Sequence, residues 1–145
     1  MSDAPDDVHV ALLAPLRQDL RPAASAILDL GKVLGDAVAA TDGDNEEFQA
    51  DVARIVESTE ILWRMVDGLI EAEAARTLFE GRSEAEAART LRHDMRTPIA
   101  AIKGYSEMLL DDLEEFGVES LRPAFSDLLD EANALLVRID KIVSF

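Results

Sequence analysis

The residues in this chain best suited to chemistry stand together: His93 followed by Asp94, Thr97 one helical turn on, and Arg92 and Arg96 on either side. A neutral imidazole offers one ring nitrogen as a nucleophile while the other keeps its N–H. His93 falls between Leu91 and Met95, which hold the spacing of a buried seam, so its side chain is expected to face water. Thr97 lies four residues after it and shares that helical face. Arg92 and Arg96 are placed to offset negative charge or to pair with acidic neighbours. Pro98 removes a backbone donor just after the group and is expected to bend the helix there. His9 has no such company and reads as a surface residue near the N-terminus.

The run from Leu91 to Leu109, which contains His93-Asp94-Met95-Arg96-Thr97-Pro98-Ile99, resembles the phosphoacceptor-histidine box of bacterial sensor histidine kinases. Their dimerisation and histidine-phosphotransfer domain carries a His-Asp/Glu-x-Arg-Thr-Pro-Leu run on its first helix. The resemblance implies that His93 accepts a phosphoryl group and that Asp94 is its hydrogen-bond acceptor and general base. It also implies that Thr97 orients the water that hydrolyses a receiver's acyl phosphate, and it leaves phosphoryl charge to Arg96 and Arg92. The implied function is histidine phosphotransfer in two-component signalling, with delivery to the aspartate of a response-regulator receiver domain. Two alternatives stand beside it: a non-enzymatic dimerisation, docking and signal-transmission domain, and a receiver phosphatase acting through Thr97. No Gly-rich phosphate cradle follows the box, so the chain is not expected to be an autonomous kinase. The phosphoryl group would then come from an ATP-binding kinase domain in trans or downstream in a longer protein. No cofactor and no metal site is expected.

Helices must position this group. The 145 residues suit one core. Nearly half are hydrophobic, mostly Ala, Leu, Val and Ile with few aromatics, which favours helices over sheets. The net charge of −16 argues against nucleic acid and anionic membrane surfaces as partners and suits solvated helix faces. No run approaches the ~20 apolar residues of a membrane span, and there is no signal-peptide layout. With no cysteine either, a cytoplasmic location is expected.

Apolar residues recur at spacings of three and four in four segments: Leu16 to Leu34, Phe48 to Leu69, Leu91 to Leu109 and Phe125 to Ile142. That is the seam of an all-α antiparallel four-helix bundle. Residues 1–7 read as a frayed end. Asp44 is expected to cap the second helix, with Glu47 three residues on. Gly81 should end it, and Ser83 should open the third in a capping box with Glu86. Gly117, Ser120 and Pro123 mark the next turn in the same way. The register runs on to Phe145, which suggests a last helix that continues into another domain, or a fragment of a longer protein.

The halves of the chain also resemble each other. Leu16-Arg17-Gln18-Asp19-Leu20-Arg21 aligns with Leu91-Arg92-His93-Asp94-Met95-Arg96 at an offset of 75, and Asp67 aligns with Asp140 at an offset of 73. Heptads alone would align the seams, but the shared Leu-Arg-x-Asp-x-Arg extends beyond them and favours two tandem hairpins of one type. The expected division is 8–80, a degenerate copy with Gln18 at the histidine position, and 82–145, the histidine-box copy. Together they form one bundle, an intrachain pseudo-dimer, unless the chain associates as a homodimer. The identical segments Glu71–Leu78 and Glu84–Leu91 are expected to carry i+3 Glu/Arg pairs and to extend the second and third helices beyond the bundle around Gly81. One unbroken helix from Asn45 to Glu115 is the competing arrangement.

Overall fold

The computed structural model describes residues 5–40 and 45–145, all of it helix and connecting turns. The helices are α1 (Pro5–Ala40), α2 (Glu46–Asp67), α3 (Ala72–Phe79), α4 (Glu84–Asp112) and α5 (Arg122–Asp140). The four long ones close a ring, α1 beside α2, α2 beside α4, α4 beside α5 and α5 beside α1. Neighbours run antiparallel: Arg17 near the start of α1 reaches Asp67 at the end of α2, and Arg96 early in α4 reaches Asp140 at the end of α5.

The seam residues fill the centre. Leu20, Ile27, Leu34, Ile55, Leu62, Met95, Ile102, Leu128, Leu135 and Ile139 are wholly buried. Each such side chain contributes about 1.5–3 kcal/mol, against about 0–1 kcal/mol for an exposed ion pair, so the seam holds the bundle and the surface charges orient it. Phe48 packs against Phe116 and Phe125 with ring centroids 5.3 and 6.4 Å away, closing one end.

The turn at Gly81 is present, with φ +68°, and Ser83 Oγ accepts from the Glu86 amide at 3.1 Å to start α4. The unbroken helix is therefore absent. The repeated segments, however, do not extend the bundle. α2 stops at Asp67, a 3-10 turn spans Gly68–Ile70, Glu71 is extended, and α3 folds back against α1. Apolar burial drives this, because Ala75 and Phe79 are covered in the docked position. In the second copy Ala87, Ala88 and Leu91 are likewise inside the bundle. Neither Glu73–Arg76 nor Glu86–Arg89 is among the ion pairs of the described residues; Thr77 Oγ1 instead donates to the Glu73 carbonyl.

Other details differ from expectation. His9 is half-buried and stacks on Phe79 at 4.2 Å, because the returning α3 brings an aromatic ring to it. α1 is already helical at Pro5; residues 1–4, and Asp44 with its expected cap, lie outside the described residues. Asn45 precedes α2, but its side-chain amide donates to the Phe116 carbonyl at 3.2 Å and does not cap the helix. Ser120 sits in a 3-10 turn and caps nothing, whereas Gly117 (φ +72°) and Pro123 in the first turn of α5 hold the expected places. α5 ends at Asp140, and Phe145 folds back edge-on to Phe79 with its amide bonded to Glu84.

Candidate functional site

Capping by Ser83 and burial of Leu91, Met95, Pro98 and Ile99 fix the rotation of α4. That rotation leaves His93, Asp94 and Thr97 exposed. Among the described residues none of the three has a hydrogen bond or ion pair, so the imidazole and its adjacent carboxylate are open to a partner.

The two arginines are engaged. Arg92 donates to the carbonyl of Ile142, just past α5, and Arg96 Nη2 lies 3.3 Å from Asp140 Oδ2. The first hairpin has a related pair of contacts, both on Asp67. Arg17 Nε donates to the Asp67 carbonyl at 2.8 Å and its Nη2 to Asp67 Oδ1 at 2.7 Å, while Arg21 Nε lies 3.1 Å from the same carboxylate oxygen. The helix C-terminus carries partial negative charge and unpaired carbonyls, which guanidinium groups satisfy. Each arginine pair thus ties the end of one helix to the start of its hairpin partner. The Leu-Arg-x-Asp-x-Arg likeness has a shared structural cause.

The hairpins part at the histidine position. Gln18 is exposed where the second copy has His93, and the adjacent Asp19 is bridged to Arg138 at 3.0 Å. Asp94 instead borders a groove of about 440 Å³ lined by Leu13, Met65, Leu69, Leu78, Leu91 and the cations Arg64 and Arg82. By the offset of 73, Met65 occupies the place of Arg138, so this side lacks the guanidinium that engages Asp19.

The same face continues past Thr97 as a shallow apolar depression of about 250 Å³ formed by Ala100, Ala101, Gly104, Tyr105 and Met108. Arg54 of α2 flanks it, donating to the Tyr105 hydroxyl at 2.8 Å; that hydrogen bond is the main cause raising the guanidinium's pKa further. Small residues at three- and four-residue spacing after Thr97 are the mark this strip leaves in the sequence. Among the described residues no cluster of three or more acidic or histidine side chains could hold a metal ion. Among the described residues no helix is long and apolar enough to cross a membrane.

Comparison with known proteins agrees with this geometry. Residues 83–144, the second hairpin, match the model of the His Kinase A (phospho-acceptor) domain, and the first hairpin lies outside the match. Searches of curated proteins and of solved structures returned no match. Residues 83–144, which carry the exposed histidine and its box on a helical pair, are thus similar to the His Kinase A (phospho-acceptor) domain.

Proposed function

We propose that this chain is a histidine phosphotransfer module of two-component signalling, in which His93 accepts a phosphoryl group and passes it to the aspartate of a response-regulator receiver domain. The observation that supports this is the exposed His93 on α4, inside a segment that matches a phospho-acceptor domain. In loading, the free ring nitrogen of neutral His93 attacks the donor's phosphorus. The N–P bond forms as the P–O bond to the donor breaks, and the bonding electrons leave with the donor oxygen. The other ring nitrogen keeps its proton and shares it with the Asp94 carboxylate, which offsets the imidazolium charge. In unloading, a receiver carboxylate oxygen attacks the same phosphorus, the N–P bond breaks and the imidazole recovers its lone pair.

The donor is an ATP-binding kinase domain, in trans or elsewhere in a longer protein, or a phosphorylated receiver. The hairpins 8–80 and 82–145 act as one cytoplasmic pseudo-dimeric bundle, the first a silent copy that supplies half the core. Thr97 positions water for hydrolysis of a bound receiver's acyl phosphate. Incubation with a phosphorylated receiver or an isolated kinase catalytic domain is expected to label wild type and not His93→Gln. Wild type that stays as unlabelled as His93→Gln sinks the proposal.

One observation favours a second reading, a non-enzymatic docking and signal-transmission domain. Half the bundle carries Gln18 and a bridged Asp19, and so supplies structure without a nucleophile. That reading expects a partner's response to survive His93→Ala unchanged.

A further inference from the structure

The two arginine clamps differ in strength and in what lies beside them. Asp67 holds two guanidinium groups, Arg17 at 2.7 Å and Arg21 at 3.1 Å, and Arg17 also grips its backbone carbonyl. Asp140 holds one, Arg96, at 3.3 Å, with both side chains about half exposed at 55% and 41%. An exposed pair of this kind is weakly held and readily exchanged. The first clamp neighbours Gln18, whereas the second neighbours His93, three residues before Arg96 and therefore adjacent on the helix surface.

We infer that Arg96 is shared between two anions: Asp140 while His93 is bare, and the phosphoryl group once His93 carries one. This rests on the reading of His93 as a phosphoacceptor. A phosphoryl group brings about −1.5 to −2 charge and three acceptor oxygens, against one charge and two oxygens on a carboxylate, so it outcompetes a single contact at 3.3 Å. Asp140 is the last residue of α5, and its release loosens the final turn of that helix. Loading of His93 is thereby reported at the bundle end where Arg138–Val143 lie. The end of α2 stays fixed, because its clamp is double and has no phosphorylatable neighbour. Arg92 is turned to the Ile142 carbonyl and Arg89 lies one turn before His93 on the exposed face; these are the other cations within reach on α4.

Phosphoramidate, a small phosphoryl donor to imidazoles, loads the histidine without any partner protein, and ³¹P NMR reports the phosphohistidine. Amide hydrogen exchange then compares loaded and unloaded protein. The expected result is exchange at least threefold faster at residues 138–143 on loading, with residues 64–67 unchanged. Asp140→Asn, with the circular dichroism of wild type, should start at the faster rate and gain nothing on loading. A loaded His93 with unchanged exchange at 138–143, as would follow if Arg89 alone met the phosphoryl group, overturns the inference and leaves the functional reading standing. Equal acceleration at both bundle ends overturns it too. A His93 that takes no phosphoryl group from any donor overturns both.

Discussion

Asp19 and Arg138 form a bridge at 3.0 Å between α1 and α5, and the corresponding aspartate of the other hairpin, Asp94, has Met65 where that arginine would be. The pairing separates a closed face from an open one on the same bundle. It also predicts that restoring the missing nucleophile is insufficient. Under the proposed function, Gln18→His should take less than a tenth of the label of His93 from a kinase catalytic domain, because its carboxylate neighbour is occupied by Arg138. Gln18→His with Arg138→Met should recover part of the difference in the same assay.

Asp94→Asn keeps size and exposure while removing the carboxylate that would hold the imidazole N–H. Loss of positioned acid–base help of this kind costs about 10²–10⁴-fold in rate. Labelling of His93 should slow by at least about a hundredfold, with thermal stability unchanged, as read by phosphate-affinity electrophoresis and circular dichroism.

Gly31→Ala tests the core. A Cβ at Gly31 would sit 2.6 Å from Thr59 Oγ1 and 3.1 Å from its Cγ2. Overpacking costs about 1–3 kcal/mol, more than the ~1 kcal/mol that alanine gains over glycine in a helix. The variant should melt a few degrees lower. The pseudo-equivalent pair in the other hairpin is Ser106 with Ala132, both buried. Gly31→Ser combined with Thr59→Ala copies that pair and should regain most of the loss; calorimetry decides.

Phe79→Ala removes the ring that His9 and Phe145 contact at 4.2 and 5.4 Å. A buried phenylalanine lost to alanine costs about 3–5 kcal/mol in a core, and a site at the bundle end can relax to the low side of that range. Amides of Ala72–Phe79 should exchange much faster, while those around Phe48 and Phe125 keep their protection.

The start of α5 is a small electrostatic unit. The Arg122 guanidinium, hydrogen-bonded to Glu119 at 2.5 and 3.1 Å, holds the Glu119 carboxyl below the usual glutamate range. A folded-state pKa that is lowered stabilises the fold above the unfolded value, and the contribution disappears as pH falls through the folded one. A carboxyl-carbon NMR titration should place Glu119 below free glutamate, and Arg122→Ala should return it upward.

Much of this was legible in the chain. The helical periods located the seam, since Phe48, Val52, Ile55, Leu62, Val66 and Leu69 are all buried as their spacing requires. Gly81 and Ser83 marked the turn because left-handed backbone and amide capping are local demands, met by the residues themselves. The return of α3 was not legible. An Ala-rich, Glu/Arg-bearing segment satisfies a free helix and a docked one equally well, and what separates them is burial of Ala75 and Phe79, the latter meeting His9 across 70 positions. At the candidate site, exposure of His93 followed from its place between seam residues. The engagement of Arg92 and Arg96 depended on where α5 ends, which no period announces.

The Gly81 turn brings both hairpins into one molecule, and this has a consequence for information. A bundle assembled from identical copies must display every feature twice, so its loading has three levels: none, one and two. Here Gly31 packs beside Thr59 in one hairpin where the other has Ser106 and Ala132, and the two halves are free to diverge. Under the proposed function, one histidine in the box position gives each chain a single bit to store. Any graded output must then come from how many molecules are loaded, not from how heavily each one is.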